Sequence, residues 1–290
     1  MNFLPFFLVI VSAFTHGAWN ALAKEGLDKT AFLWLMSITS IFTVMPVFYF
    51  LLPNLNLTLE VLPYLIASGV IQALSFMFLF RAYELGDLSV VYPLARSSPL
   101  FLFVLAVVLL GEKVSAWGAS GIIMVLLGVY TIHLKGISRC GLLEPISSLR
   151  SRASQFALLT ALCGSFYSLV DKLGVMTMNP IMYAFWLDFF INIFLTPMVF
   201  WRIGFSVISA EWSASGIQTV LSGFLNYFGY ILVLVAMSMA QVSYILSVRQ
   251  LSIVIGAGLG VGLLGEKYGR FRLISALIIF MGVAVIGIMA

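Results

Sequence analysis

Ten long, almost charge-free apolar stretches follow one another with little between them. They run over Leu4–Ala23, Thr30–Leu52, Leu62–Tyr83, Leu88–Leu110, Val114–Leu134, Ser154–Gly174, Pro180–Trp201, Ala214–Ala236, Val242–Leu264 and Phe271–Met289. A bilayer core takes about 20 apolar residues per helix, so the stretches predict ten transmembrane helices. The runs are continuous, whereas strands of a membrane barrel alternate apolar and polar residues. Composition agrees: the chain is 62% hydrophobic and only 9% charged, with a mean hydropathy of +1.12. A soluble chain carries about 25% charged residues. Disorder, a secreted disulfide scaffold and a cytosolic enzyme are therefore excluded. The first stretch lacks a basic leading region and a cleavage site and reads as a retained helix. The longest connection, Lys135 to Ala153, leaves no room for a soluble domain, so any chemistry lies among the helices. Cys140 in that connection and Cys163 inside a span are not expected to pair, and with no His beside them they make no metal site.

Lys and Arg divide unevenly between the two sets of loops. The first, third, fifth, seventh and ninth loops hold Lys24, Lys29, Arg81, Lys135, Arg139, Arg150, Arg152, Arg202, Lys267, Arg270 and Arg272; the opposite set holds Lys113 and Lys172. Cytoplasmic loops carry the excess, so the count places the Lys135–Ala153 loop in the cytoplasm and both termini outside it. The net charge of +4 is thus a topology signal. No basic stripe with interleaved aromatics marks a nucleic-acid surface.

The two halves resemble each other. Residues Ser12 to Gly26 align with Thr160 to Gly174, pairing Trp19 with Tyr167, Asn20 with Ser168 and Lys24 with Lys172. Leu110-Gly111-Glu112-Lys113 returns as Leu264-Gly265-Glu266-Lys267, Ser68 and Gln72 match Ser222 and Asn226, and Gly128 matches Gly282. Five spans per half is an odd number, so the second half enters the membrane upside down. The expected fold is an all-α integral membrane protein of ten helices in two inverted five-helix repeats, an arrangement common in secondary transporters. Residues 1–137 form the first repeat, 138–153 the connection and 154–290 the second.

With His16-Gly-Ala-Trp19-Asn20 in the first span, Ala82-Tyr-Glu-Leu-Gly86-Asp87 before the fourth, Tyr92-Pro93-Leu94-Ala95-Arg96-Ser97-Ser98-Pro99 within it, and the repeated Leu-Gly-Glu-Lys ends, the whole chain resembles a ten-helix, EamA-type member of the drug/metabolite transporter superfamily. The resemblance implies helices around a central cavity that opens alternately to each side. Such relatives carry amino acids, sugars, nucleotide sugars, phosphorylated sugars or drugs. It also implies cytoplasmic termini, against the Lys/Arg count.

Two arginines lie inside spans, where each costs about 2.5–3.5 kcal/mol at the helix centre. Arg96 is in the fourth span, which Pro93 and Pro99 interrupt; Arg249 is in the ninth, which carries Gly256, Gly258, Gly260 and Gly262. Paired interrupted segments of this kind point to a transporter's binding site. The alternate glycines also predict close packing of that end against another helix. In the repeat alignment Arg96 faces Gln250 and Arg249 faces Ala95, which predicts guanidinium groups about 10 Å apart along the membrane normal. A guanidinium suits carboxylate, phosphate or phosphonate. The structural alternative is an arginine paired within the bundle. Asp188, the only acid well inside a span, is the natural partner for one of them and the candidate proton-coupling residue. Tyr92 shares a helical face with Arg96, as Ser252 does with Arg249. His16, whose charge changes near neutral pH, and Asn20, Gln72, Tyr167 and Asn226 complete the candidate substrate contacts. Each alone serves as readily as helix–helix glue. Glu112 and Glu266, at helix ends beside Lys113 and Lys267, read as interface anchors or loop structure.

These features predict a secondary transporter, not an enzyme, for a small anionic or zwitterionic metabolite such as an amino acid, organic acid or phosphorylated or phosphonate compound. No nucleotide-binding motif, cofactor or metal site is expected. Its partners would be the substrate and the lipid bilayer, with no nucleic acid, in a monomer or homodimer of a bacterial cytoplasmic membrane. The alternatives are an exporter of hydrophobic drugs or cations, which calls for an unpaired intramembrane carboxylate, and a lipid-handling membrane protein.

Overall fold

Short polar side chains open several of the helices. Ser115 accepts a hydrogen bond from the Gly118 N–H at 3.0 Å, Ser151 from that of Ser154 at 3.2 Å and Asn179 from that of Ile181 at 3.0 Å. Each satisfies an amide that the first helical turn leaves without a partner. Gly111, at φ 66°, supplies the left-handed residue that closes another helix. The computed structural model describes residues 2–23, 26–51, 57–86, 88–132, 148–264 and 270–289, which contain helices and no strand. The helices are α1 (Phe3–Leu22), α2 (Lys29–Leu51), α3 (Leu62–Leu85), α4 (Leu88–Ala95), α5 (Ser98–Leu110), α6 (Ala116–Thr131), α7 (Arg152–Thr177), α8 (Pro180–Met239), α9 (Val242–Arg249), α10 (Leu251–Leu264) and α11 (Arg270–Met289), with a 3-10 turn at Ser148–Arg150. Cys140 and most of the long connection fall outside the described residues, as do Lys24, Glu266 and Lys267.

Four expected stretches differ from the observed elements. The fourth is two helices, broken at Arg96 and Ser97. Pro99 has no N–H and its ring crowds the carbonyl four residues back, that of Ala95; α4 ends there and Pro99 falls in the first turn of α5. The ninth also breaks, but at Gln250 and not among the glycines. The Gln250 N–H reaches the Ser247 carbonyl at 3.1 Å, and the Ile253 N–H reaches the Gln250 carbonyl at 3.0 Å, both at three-residue spacing. Gln250 is the repeat counterpart of Arg96, so the two breaks are equivalent. The seventh and eighth stretches run together as the 60-residue α8. Straight, it would measure roughly 90 Å, far more than a bilayer; its backbone leaves helical geometry at Gly204 (φ 68°) and Ser215 (φ −131°).

Burial is inverted relative to a soluble protein. Phe3, Val108, Phe205, Ile217 and Ile288 stand exposed, while Ser12, Ser68, Ser165, Thr219 and Ser222 are fully buried. Lipid tails are as apolar as leucine, so the interior is chosen for close packing and hydrogen bonding. Small residues let backbones approach: a Cβ on Gly282 of α11 would sit 2.7 Å from the Gly121 carbonyl of α6, and one on Gly121 would sit 2.9 Å from the Gly282 carbonyl. At the start of the glycine run, Gly256 meets Gly17 of α1; a Cβ on Gly258 would enter open space.

The two halves interlock through their first and broken helices. α1 packs along α9 and α10, the broken pair of the second half, and α7 packs along α4 and α5, the broken pair of the first. α6 and α11, the last helices of the halves, pack on each other, and α2 and α3 pack on α8. This reciprocal exchange brings Arg96 and Arg249, at the two breaks, to the centre of the molecule.

Candidate functional site

Arg96 is the first residue past α4 and Arg249 the last of α9. α5 and α10 start immediately beyond, so two helix N-termini, with their partial positive charge, begin beside the arginines. Both side chains reach one residue of α1, His16. Nη2 of Arg249 lies 3.3 Å from Nδ1 and Nη1 of Arg96 lies 3.5 Å from Nε2. The two guanidiniums thus approach different nitrogens of one ring. The breaks turn both residues inward, and each guanidinium spans its long side chain to meet the other at one imidazole.

The hydrogen bonds fix the state of that ring. The Trp19 indole N–H, which can only donate, gives its proton to Nδ1 at 3.1 Å. Nδ1 is therefore an acceptor and also takes the Arg249 donor. A neutral imidazole then carries its hydrogen on Nε2, and that N–H faces another donor, Arg96. Trp19 also sets its ring edge-on to His16, centroids 4.9 Å apart. Tyr92 lies under the Arg96 guanidinium at 5.2 Å and Tyr230 under that of Arg249 at 5.6 Å. Tyr167, the repeat partner of Trp19, is within electrostatic reach of both arginines.

The charge around this cluster is one-sided. Among the described residues the ion pairs are Arg81–Glu84 and Arg202–Glu84, neither of which involves Arg96 or Arg249. Nε of Arg249 is buried with no hydrogen-bond partner. Arg96, Arg249 and His16 are only partly buried. The cluster thus presents two guanidiniums, an imidazole N–H and phenol groups, a set dominated by donors. Such a site is complete when it holds an anion with several acceptor oxygens. Among the described residues no group of His, Cys, Asp and Glu is arranged to hold a metal.

The structure brings together Arg96, Arg249, His16, Tyr92 and Tyr167 and separates the other expected contacts. Asn20 donates to the His16 carbonyl at 2.6 Å, within its own helix. Gln72 donates to Ser68 at 3.0 Å and to the Tyr230 hydroxyl at 3.3 Å, one residue removed from Arg249. Asn226 is half-buried and Ser252 buried. Asp188 is corrected as an arginine partner: its Oδ2 accepts from Ser40 at 2.6 Å, and the arginines lie beyond ion-pair distance.

Three participants are new. Trp19 fixes the imidazole, Tyr230 supports Arg249, and Asp171 of α7 is fully buried behind Tyr230. Asp171 stands beside Lys172, three residues before the end of the expected span, so it looks like an interfacial charge. In the structure α7 continues to Thr177, and Lys172 turns away to donate to the Met237 and Ala240 carbonyls at 2.5 and 3.1 Å. The pairing of Trp19 with Tyr167 was the available sign for the aromatic frame.

A family model described as the EamA-like transporter family matches residues 4–134 and 152–288. No curated protein matches the sequence. One solved crystal structure shares the fold, with a TM-score of 0.74 over 98% of this chain and 99% of its own, at 17% identity.

Proposed function

We infer, since the chain belongs to the EamA-like transporter family, that this membrane transporter is a secondary transporter for a small anionic or zwitterionic metabolite, held between Arg96 and Arg249. The observation that carries this reading is the convergence of two guanidiniums on one neutral imidazole with, among the described residues, no carboxylate in ion-pair range. Two positive charges favour a doubly charged oxyanion, a phosphate, phosphonate or dicarboxylate, over a single carboxylate. Drug or cation export is disfavoured, since a hydrophobic cation would meet like charge at the centre of the bundle. In this reading α4–α5 and α9–α10 each make one broken span, and α8 makes two. The ten spans then form two inverted halves that rock about the arginine site to open it to either side. The membrane is a bacterial cytoplasmic one.

Ligand binding to the native state raises apparent stability, by about 2.7 kcal/mol at 100 times Kd. The purified protein is therefore expected to melt at higher temperature with phosphate, phosphonates or dicarboxylates, and to ignore hydrophobic cations. Stabilisation by hydrophobic cations but by none of these anions would replace the anion reading with the export one.

The Lys/Arg asymmetry further predicts the side of the membrane. Reporter fusions at both termini are expected to read the same, non-cytoplasmic side, and an impermeant thiol reagent to reach Cys140 only from the cytoplasm. Labelling of Cys140 on intact cells would reverse the orientation, and termini on opposite faces would remove the ten-span reading.

A further inference from the structure

Behind the arginine site lies a second buried polar cluster that anion binding alone does not explain. Oδ1 of Asp171 accepts from the Ser68 hydroxyl at 2.5 Å and the Tyr183 hydroxyl at 2.9 Å, and Oδ2 accepts from the Tyr230 hydroxyl at 2.5 Å. Gln72 donates its amide hydrogens to the oxygens of Ser68 and Tyr230. Those two hydroxyls must therefore turn their own hydrogens to the carboxylate. Every neighbour gives Asp171 a proton to accept, and among the described residues no cation is in ion-pair range. A charged carboxylate, fully buried and joined to the arginine site by one aromatic ring, is an expensive arrangement for helix packing alone.

We propose that Asp171 is a proton-binding site linked through Tyr230 to anion binding between Arg96 and Arg249, so that substrate and proton bind together. The proposal rests on the anion reading of that site. Tyr230 touches both ends: its hydroxyl is on Asp171 and its ring is under the Arg249 guanidinium. An anion settling between the arginines cancels the positive charge that balances the acid, and the carboxylate then takes a proton from solution. For the two charges of such an anion about 10 Å away at an effective dielectric of 20, the effect is about 300-fold on proton affinity. The new O–H donates to the Tyr230 oxygen, and the Tyr230 hydrogen is released toward another acceptor. By linkage, proton and anion raise each other's affinity by the same factor.

The other groups around Asp171 do not offer the same coupling. α3 contributes Ser68 and Gln72, which do not titrate. α8 contributes Tyr183 and Tyr230, and α9 contributes Tyr244, which accepts from the Ser115 N–H at 3.0 Å, and Arg249. Arg96, past the end of α4, lies on the side of Tyr167, which shares α7 with the acid. Glu112, past the end of α5, is held on the first amides of α9; Lys172 is on backbone carbonyls; and Arg150 is beyond the opposite end of α7. His16, in the site itself, can take up a proton of its own when an anion arrives, so the test reads the part of the uptake that depends on Asp171.

Sulfate is a suitable probe, because it keeps both charges across the range, about pH 5 to 8, in which a displaced carboxylate titrates. In a weakly buffered solution of the purified chain, sulfate addition is expected to draw protons from solution, and its affinity should rise by up to about 300-fold from the alkaline to the acid end. Asp171→Asn should remove the carboxylate's share of that uptake and of the pH dependence while sulfate still binds, leaving the share of His16. Tyr230→Phe keeps the ring under Arg249 but withdraws a donor from the carboxylate, so the midpoint of uptake should move to higher pH; this variant decides the matter if Asp171→Asn does not fold. Uptake that Asp171→Asn leaves unchanged, that Asp188→Asn lowers instead, or whose midpoint ignores Tyr230→Phe overturns the proposal. Sulfate that binds the wild-type chain with no proton uptake overturns it and leaves the anion reading standing. Failure of the wild-type chain to bind sulfate or phosphate overturns both.

Discussion

Arg249→Ala is expected to weaken anion binding by about 10- to 150-fold, and Arg96→Ala by a similar factor. The estimate takes one charge-assisted hydrogen bond to the ligand as worth about 1.5–3 kcal/mol. Arg249 already gives one donor to His16 and rests on Tyr230, so its free donors, including the unpaired Nε, are those a ligand would take. Arginine-to-lysine changes keep the charge but lose the planar fork, and should restore only part of the loss. The two truncations should not add, because both side chains share one imidazole and therefore one ligand position. Calorimetric titration of the purified variants with the anion that best stabilises the wild type measures this directly. If both alanine variants fold and bind that anion at wild-type affinity, the arginines belong to the scaffold and the site lies elsewhere.

On the proposed alternating-access reading, Glu112→Ala is expected to shift the balance between the two access states by about 30-fold. In the structure Glu112, past the end of α5, closes over the start of α9 in the other half. It accepts from the Val242 N–H at 2.7 Å, the Ser243 N–H at 3.3 Å and the Ser243 hydroxyl at 2.6 Å. A carboxylate at a helix N-terminus gains from both the unpaired amides and the helix dipole. Gln241 adds a bond to the Lys113 carbonyl at 3.0 Å, and the Tyr244 hydroxyl accepts from the Ser115 N–H at 3.0 Å. Together these seal one end of the bundle across the boundary between halves. Losing the carboxylate should cost about 2 kcal/mol in this state, or about 30-fold in population. A cysteine placed at buried Val242, in a background without Cys140 and Cys163, should react with a thiol reagent faster by that order. Unchanged labelling would show that this seam does not gate.

The repeat gives that seam a counterpart. Glu266 matches Glu112, and the same offset carries Val242 and Ser243 onto Leu88 and Ser89, the first residues of α4. Glu266 lies outside the described residues. On the proposed alternating-access reading, repeat symmetry makes Glu266 the candidate for the matching role in the opposite state. Glu266→Gln should therefore change Val242 labelling in the direction opposite to Glu112→Ala.

The sequence by itself determined an all-helical membrane chain of two related halves, because the lengths and spacing of apolar runs are local properties that a bilayer reads directly. It also pointed to the two intramembrane arginines, since a lone charge in an apolar run is conspicuous wherever it folds. It marked the break beside Arg96 through Pro99, whose effect is local, but not the one at Gln250, where no residue is a chain breaker and only equivalence with the first half shows the position. What the tertiary structure alone decided is which charges meet. Spacing along two separate spans showed no shared contact, and the crossing of α1 over α9 and α10 brought both arginines to His16. The sequence offered Asp188 as their partner because it stands alone in mid-span, yet that acid faces Ser40. Asp171, concealed by the lysine beside it, is the carboxylate that reaches the site, through the ring of Tyr230 on another helix. Which side chains share a low-dielectric interior depends on helix rotation and crossing. In a chain this apolar the hydrophobic pattern is continuous around most spans and leaves those rotations unspecified, so packing and hydrogen bonds between halves set them.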